Sequence, residues 1–220
     1  MRISHEHQFV FLAVPRTGST TIRNILDGYS DIKSVHITET TNDFPFYNHI
    51  SALELKKIFD GRDWHWFDYK RFCVIRNPYD RVVSLYHHYL QERAKARRKR
   101  DIVLSMIDTV KDNLKPSRIP TFKDYVMRIE PETRLPTSLK NFICDEKSNF
   151  LVEDVLMYER LKEELPRYFY DLEIDFSAED IPHLNASKDR SEYRSYYDEE
   201  TIEKVSTIYA YEIARFGYSF

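Results

Sequence analysis

Arg16, Thr17, Gly18, Ser19, Thr20 and Thr21 follow one another without a break. In six positions they supply a guanidinium, four hydroxyls and a glycine that lets the backbone come close to a ligand. Ile22, Ile25 and Leu26 come next at helical spacing, so the row lies where a helix begins. Backbone N–H groups there lack intrahelical partners, and the macrodipole favours negative charge at that end. Such a row is an anion cradle, suited to phosphate or sulfate. A plain helix start rich in hydroxyl caps uses the same residue types, so a second element has to carry part of the argument.

The elements that must position this row are legible on either side of it. Residues 9–14, FVFLAV, are too few to span a membrane and too continuously apolar for a half-exposed strand. They predict a central strand covered on both faces and ended by Pro15. A second unit repeats the pattern: residues 72–75, FCVI, lead through Arg76, Asn77 and Pro78 into a helix with Val82, Val83, Tyr86, Tyr89 and Leu90 inward. Two strand-to-helix units with cations at their carboxyl ends predict one parallel sheet, with a ligand lying across the ends of neighbouring strands.

The nature of the anion is narrowed by what is missing. A Walker loop needs a glycine followed by lysine to reach the β- and γ-phosphates, and no Gly-Lys pair occurs in these 220 residues. An ordinary ATP or GTP site is disfavoured. PRTGSTT, residues 15–21, instead resembles the loop that binds the 5′-phosphosulfate in sulfotransferases using 3′-phosphoadenosine 5′-phosphosulfate (PAPS). RNPYDRVVSLY, residues 76–86, resembles the same family's second motif, whose first Arg and whose Ser eight residues later grip the 3′-phosphate. Here those are Arg76 and Ser84. The resemblance is to carbohydrate-type PAPS sulfotransferases.

That resemblance implies a three-layer α/β domain over residues 1–220, P-loop-like, with a central parallel sheet of about four or five strands flanked by helices. It implies PAPS as cofactor and PAP as product, no metal, and a carbohydrate or other hydroxyl-bearing acceptor, a polyanionic one among the alternatives. Arg16 and the loop amides of Thr17 and Gly18 are assigned to the leaving 5′-phosphate oxygen, and Ser19, Thr20 and Thr21 to phosphosulfate oxygens. The family places a base between the two motifs, often a His just before a short helix. His49, which an aromatic Pro-containing loop delivers to a helix marked by Leu53, Leu55 and Ile58, fits that description, and His36 on an expected strand at residues 35–37 is its rival. Many relatives have Lys where Arg16 stands. Arginine is a rigid fork that stays protonated, so electrostatic stabilisation survives the change and proton donation from that position does not.

The rest of the chain is consistent with this frame. Residues 154–159, DVLMYE, read as a further buried strand with a helix after it, and the Tyr-Glu ending is expected to order loops. From His183 onward the chain resembles the family's ending: an Asn-x-Ser loop with cations, an acidic helix start at Asp198, Glu199 and Glu200, and a last helix with Ile202, Val205, Tyr209, Ile213 and Phe216 inward. Lys188 and Arg190 are the expected additional 3′-phosphate contacts. Phe122, Tyr125, Val126 and Ile129 predict another helix before the prolines at 131 and 136, while residues 102–120 show no motif and read as an acceptor-facing insertion. Gly28 is expected in the left-handed position after the first helix, and residues 61–70 as a surface helix end.

Residues 93–100 hold six cations and read either as a solvated helix face or as an anion-collecting surface. His5 and His7 share a face if the first strand starts early, but no third metal ligand stands at a suggestive spacing. A net charge of −3 gives no sign of a nucleic-acid partner. With Cys73 in a predicted core strand, a disulfide framework is not expected and a reducing compartment fits. No stretch approaches 18 apolar residues, and residues 1–8 lack the form of a signal peptide. A cytoplasmic, bacterial-like enzyme or a trimmed Golgi luminal domain is expected. Two other readings keep a place, a non-catalytic PAPS- or polysaccharide-binding protein and a P-loop-like nucleotide kinase.

Overall fold

The computed structural model describes residues 1–106, 119–130, 138–177 and 191–220, with side chains as far as 98 in the first segment. Five strands form one sheet in the order β3-β1-β2-β4-β5: β1 (Arg2–Ser4), β2 (Phe9–Leu12), β3 (Ile32–Lys33), β4 (Lys70–Ile75) and β5 (Asp154–Met157). The β2, β4 and β5 strands are parallel, with Leu12 opposite Cys73 and Ile75 opposite Met157. Their carboxyl ends therefore open on one side of the sheet. The sheet is mixed, because β1 runs antiparallel to both β2 and β3. The β1–β2 hairpin went unread in the sequence because its first arm is three residues long and its turn, residues 5–8, is polar.

The expectation of two covered faces holds residue by residue. Val10, Leu12, Cys73 and Ile75 pack on one side with α2 (Ala52–Asp60) and α5 (Leu139–Ile143). Phe9, Phe11, Ala13, Phe72 and Val74 pack on the other with α1 (Ser19–Leu26) and α6 (Leu161–Tyr170). Alternate side chains of a strand point to opposite faces, so an unbroken apolar run supplies both cores at once. The result is three layers. A third cluster joins α3 (Pro78–Met106), α4 (Phe122–Val126) and α7 (Glu199–Ile208), with Val82, Val83, Tyr86, Phe122, Val205 and Tyr209 buried in it. A last helix, α8 (Ala210–Phe216), ends at Gly217 with φ +68°.

Several local expectations are corrected. The second strand lies at Ile32–Lys33, and Val35 makes only a single bridge to Tyr47. His36 instead caps a 3-10 turn, Ile37–Glu39, in a reciprocal box with Glu39. Gly28 sits inside a 3-10 turn, Asp27–Tyr29, so the left-handed position after α1 does not exist. Residues 61–70 run, as expected, from the end of α2 at Gly61 over the surface into β4, with one exception: Trp66 is 2% exposed and its indole donates to the Leu151 carbonyl at 3.1 Å. His5 and His7 lie in the hairpin turn and diverge, one to the Tyr69 hydroxyl and the other to the Leu172 carbonyl. Part of the region read as an insertion continues α3 to Met106. The prolines at 131 and 136, the Asn-x-Ser loop, Lys188 and Arg190 lie outside the described residues.

Candidate active site

Pro15 and the residues after it leave β2 at its carboxyl end, beside the ends of β4 and β5. Two consecutive turns of backbone are unusual there: Arg16 has φ +65° and Gly18 φ +78°. A non-glycine residue in the left-handed region is uncommon and clusters at functional sites. Gly18 is the N-cap of α1 and makes no side-chain cap bond. The first amides of α1 are thereby left to an outside acceptor, as an anion cradle requires. The cradle also admits nothing larger than glycine, since a Cβ on Gly18 would stand 2.9 Å from the Tyr158 ring.

The two motifs meet through their cations. Arg16 Nε donates to Ser84 Oγ at 3.1 Å, linking the loop after β2 to the second turn of α3. Arg76 donates through Nε to Asp80 at 2.6 Å, reaches the Arg16 carbonyl at 3.5 Å, and lies 4.5 Å over the Tyr158 ring. Arg81 is 4% exposed and donates to the Pro15 carbonyl at 3.0 Å. Burial lowers the affinity of Arg16 for its proton, and the neighbouring Arg76 charge lowers it further. Like charges held this close favour an anion between them. Asn77, whose side chain accepts from the Tyr79 amide, and Pro78 at the first helical position fix where α3 starts.

The hydroxyls are not equivalent. Thr17 is fully buried and its hydroxyl donates to the Val14 carbonyl at 3.0 Å, so only its backbone faces the cradle. Ser19 and Thr21 are buried at 6% and 4% exposure, while Thr20 is exposed. Ser84 stands with Arg16, whereas Arg76 is held by Asp80.

His49 comes to the same end of the sheet. Its Nδ1 lies 2.7 Å from the Ala13 carbonyl, which fixes that nitrogen as the N–H donor and leaves Nε2 with the lone pair. Burial is the main reason that its pKa is lowered to about 4, with the Arg23 and Arg81 charges adding to it and the Ala13 bond opposing. The imidazole is therefore neutral at physiological pH. His36, its rival, is exposed and bonded to Thr38 within its own turn. The aromatic loop before His49 is mostly occupied with packing: Phe46 is 1% exposed and stacks on Trp64, and the Tyr47 hydroxyl donates to Glu54 at 2.9 Å.

Sequence reasoning missed Tyr158 and Arg81 as parts of this site, whereas the acid of the Tyr-Glu ending orders loops as expected. Glu159 accepts from the Asn77 amide at 2.7 Å and the Tyr218 hydroxyl at 3.1 Å, joining the loop after β4 to the carboxyl-terminal segment. The one available signal was position, since Tyr158 follows directly on the end of β5 and Arg81 belongs to the same motif as Arg76. Among the described residues no group of three or more His, Cys, Asp or Glu could hold a metal, and no helix is long and apolar enough to cross a membrane.

Residues 1–219 match the sequence model of a family described as the sulfotransferase family. The fold is similar to that of mouse sulfotransferase SULT7A1, solved in complex with PAP, with a TM-score of 0.54 over 96% of this chain and 85% of that one at 14% identity. No curated protein sequence matches.

Proposed function

From the chain's membership of the sulfotransferase family, we propose that it transfers the sulfuryl group of PAPS to a carbohydrate hydroxyl, with the loop of residues 15–21 holding the phosphosulfate and His49 taking the hydroxyl proton. The observation that carries this reading is the meeting of two cation-bearing loops at the ends of β2 and β4, sealed by the 3.1 Å bond from Arg16 to Ser84. PAPS supplies the activated sulfuryl group, and its phosphate oxygen takes up negative charge as the group departs. A cofactor that leaves as a bisphosphate needs two anion sites. The uncapped start of α1 suits one, and Arg76, at the head of the second motif, suits the other.

Each residue then has a defined task. Arg16 and the amides of Thr17 and Gly18 stabilise the leaving oxygen by charge and hydrogen bonding, and Arg16 keeps its proton throughout. Ser19, Thr20 and Thr21 lie at the helix start where the sulfuryl oxygens are held; the backbone of all three can donate, and the exposed Thr20 hydroxyl can donate as well. Arg76 and Ser84 are assigned to the 3′-phosphate, and the family resemblance assigns Lys188 and Arg190 to it as well. His49 accepts the acceptor's proton at Nε2 while Nδ1–H stays on Ala13. A base with a pKa near 4 is weak in the free enzyme. Negative charge brought in beside Arg16 raises it, in the direction that general-base catalysis needs.

The carbohydrate class rests on the second motif's likeness to carbohydrate-type enzymes. A polyanionic acceptor would find Arg93, Lys95, Arg97 and Arg98 along the outer part of α3, where Arg93 bonds Tyr89 and Lys95 pairs with Glu92. The residues 1–220 act as one domain in this reading. The test is a thermal-shift comparison of PAP, ATP and GTP, followed by radiolabelled PAPS with neutral and sulfated glycans. Stabilisation by PAP alone and label in a glycan are expected. Stabilisation by ATP or GTP equal to that by PAP overturns the cofactor assignment, and label appearing only in non-sugar hydroxyls overturns the acceptor class.

A further inference from the structure

The loop that carries His49 is tied to the anion loop by a residue with no role so far. Arg23 lies one turn into α1, and its guanidinium makes three bonds to uncharged oxygens: Nε to the Ser19 carbonyl at 3.3 Å, Nη2 to the Thr20 hydroxyl at 3.4 Å, and Nη1 to the Asn48 side-chain oxygen. Asn48 is the neighbour of His49 and a junction in its own right. Its side-chain oxygen also accepts from Ser34 at 2.8 Å, its amide donates to the Val35 carbonyl at 3.0 Å, and its carbonyl accepts from the Met1 amino group at 3.0 Å. Bonds to Met1, Arg23, Ser34 and Val35 therefore meet at one residue of this loop.

We propose that Arg23 and Asn48 are positioning residues for His49, the guanidinium joining the first turn of α1 to the loop that presents the imidazole so that cradle and base keep one geometry. That the positioned ring serves catalysis rests on His49 being the base; that the two residues hold it does not. Two observations argue for it beyond the bonds themselves. First, Arg23 bridges Thr20, at the cradle, and Asn48, at the base, and a planar fork can hold two directions at once where a lysine cannot. Second, among the described residues Arg23 has no carboxylate in ion-pair contact, the nearby Asp27 being paired with Arg2. Its charge is therefore available to act on His49. The imidazole is bonded to the Ala13 carbonyl and feels the Arg23 and Arg81 charges together with the Met1 amino group, whose own proton affinity burial lowers well below its ordinary value. The two guanidinium charges favour the neutral ring that can accept a proton.

NMR titration of the His49 Cε1–H signal, identified by its loss in His49→Ala, tests the proposal without an acceptor. The parent is expected to titrate near pH 4. Arg23→Gln, which keeps an amide donor and removes the charge, should raise that midpoint by about 0.5–1 pH unit. Arg23→Lys keeps the charge but loses the fork, so its midpoint should rise by less than that of Arg23→Gln while amide exchange of residues 47–50 still speeds up. Asn48→Ala should raise it as well, because a freed loop lets the ring return to water, and should speed amide exchange of residues 47–50 by about tenfold or more. PAP-induced stabilisation serves as the check that each variant is folded, and Asn48→Ser replaces Asn48→Ala if the latter fails it. Midpoints and exchange rates equal to the parent's in Arg23→Gln and in the Asn48 variant overturn the proposal. Transfer from radiolabelled PAPS to methyl β-galactoside separates the two readings: if His49→Ala leaves it intact while the NMR changes appear, the base assignment falls and the positioning role stands.

Discussion

Gly18→Ala should damage both stability and cofactor binding, and the structure allows the damage to be apportioned. Gly18 holds φ +78°, and an alanine in that region costs about 1–2 kcal/mol. The new Cβ would meet the Tyr158 ring at 2.9 and 3.1 Å, and overpacking of this kind costs about 1–3 kcal/mol. The ring can yield only by leaving Arg76, whose guanidinium it supports at 4.5 Å. Together the two effects amount to about 2–5 kcal/mol, or a fall in Tm of about 4–20 °C for a chain of this size. PAP should bind at least about tenfold more weakly, a loss of about 1.4 kcal/mol, because the amides at the start of α1 are re-aimed. Calorimetric melting and isothermal titration with PAP measure both. Adding Tyr158→Ala to Gly18→Ala should recover the steric part and leave the backbone part. Gly28→Ala is the control: it has no positive φ and nothing within 4 Å of the new methyl, so it should melt within about 1 kcal/mol of the parent. A Gly18→Ala protein that melts and binds PAP like Gly28→Ala would refute the reasoning.

Three further outcomes are expected. Arg76→Ala should abolish the preference for PAP over AMP, since a charge-assisted phosphate contact contributes about 1.5–3 kcal/mol; an unchanged ratio of the two Kd values by calorimetry would remove Arg76 from the 3′-phosphate site. His49→Ala should lower kcat by about 100-fold or more with little change in PAP affinity, and in the parent the acid limb of kcat/KM should lie near pH 4 and not near 6.5. The same lowered pKa makes stability fully present above about pH 6.5 and lost as pH falls toward 4, because the unfolded chain binds the proton that the folded one refuses; a melting temperature that rises on acidification through this window contradicts it. Neutralising Arg93, Lys95, Arg97 and Arg98 together should raise KM for a sulfated glycan and flatten its salt dependence while PAP binding is unchanged, and equal kinetics would mark these residues as a solvated helix face.

What the sequence determined by itself was the part of the protein written in contiguous residues. The unbroken apolar runs at residues 9–14 and 72–75 required strands covered on both faces, and the alternate burial of their side chains bears this out. The acidic run at Asp198, Glu199 and Glu200 marked a helix start in the chain itself, where Asp198 and Thr201 form a reciprocal capping box. The hydroxyl-rich row after Pro15 announced an anion, and its likeness to a known loop named one. The tertiary structure decided what depends on partners far apart in the chain. Local residue types cannot report that Ser84 is held by Arg16, that Thr17 turns its hydroxyl inward, or that Tyr158 closes over Gly18. The difference between His36 and His49 is of the same kind: both are histidines near a turn, and only the fold puts one against the end of β2 beside Ala13 and leaves the other capping its own turn in solvent. Burial and neighbouring charge set an imidazole's basicity, and both are properties of the packed chain.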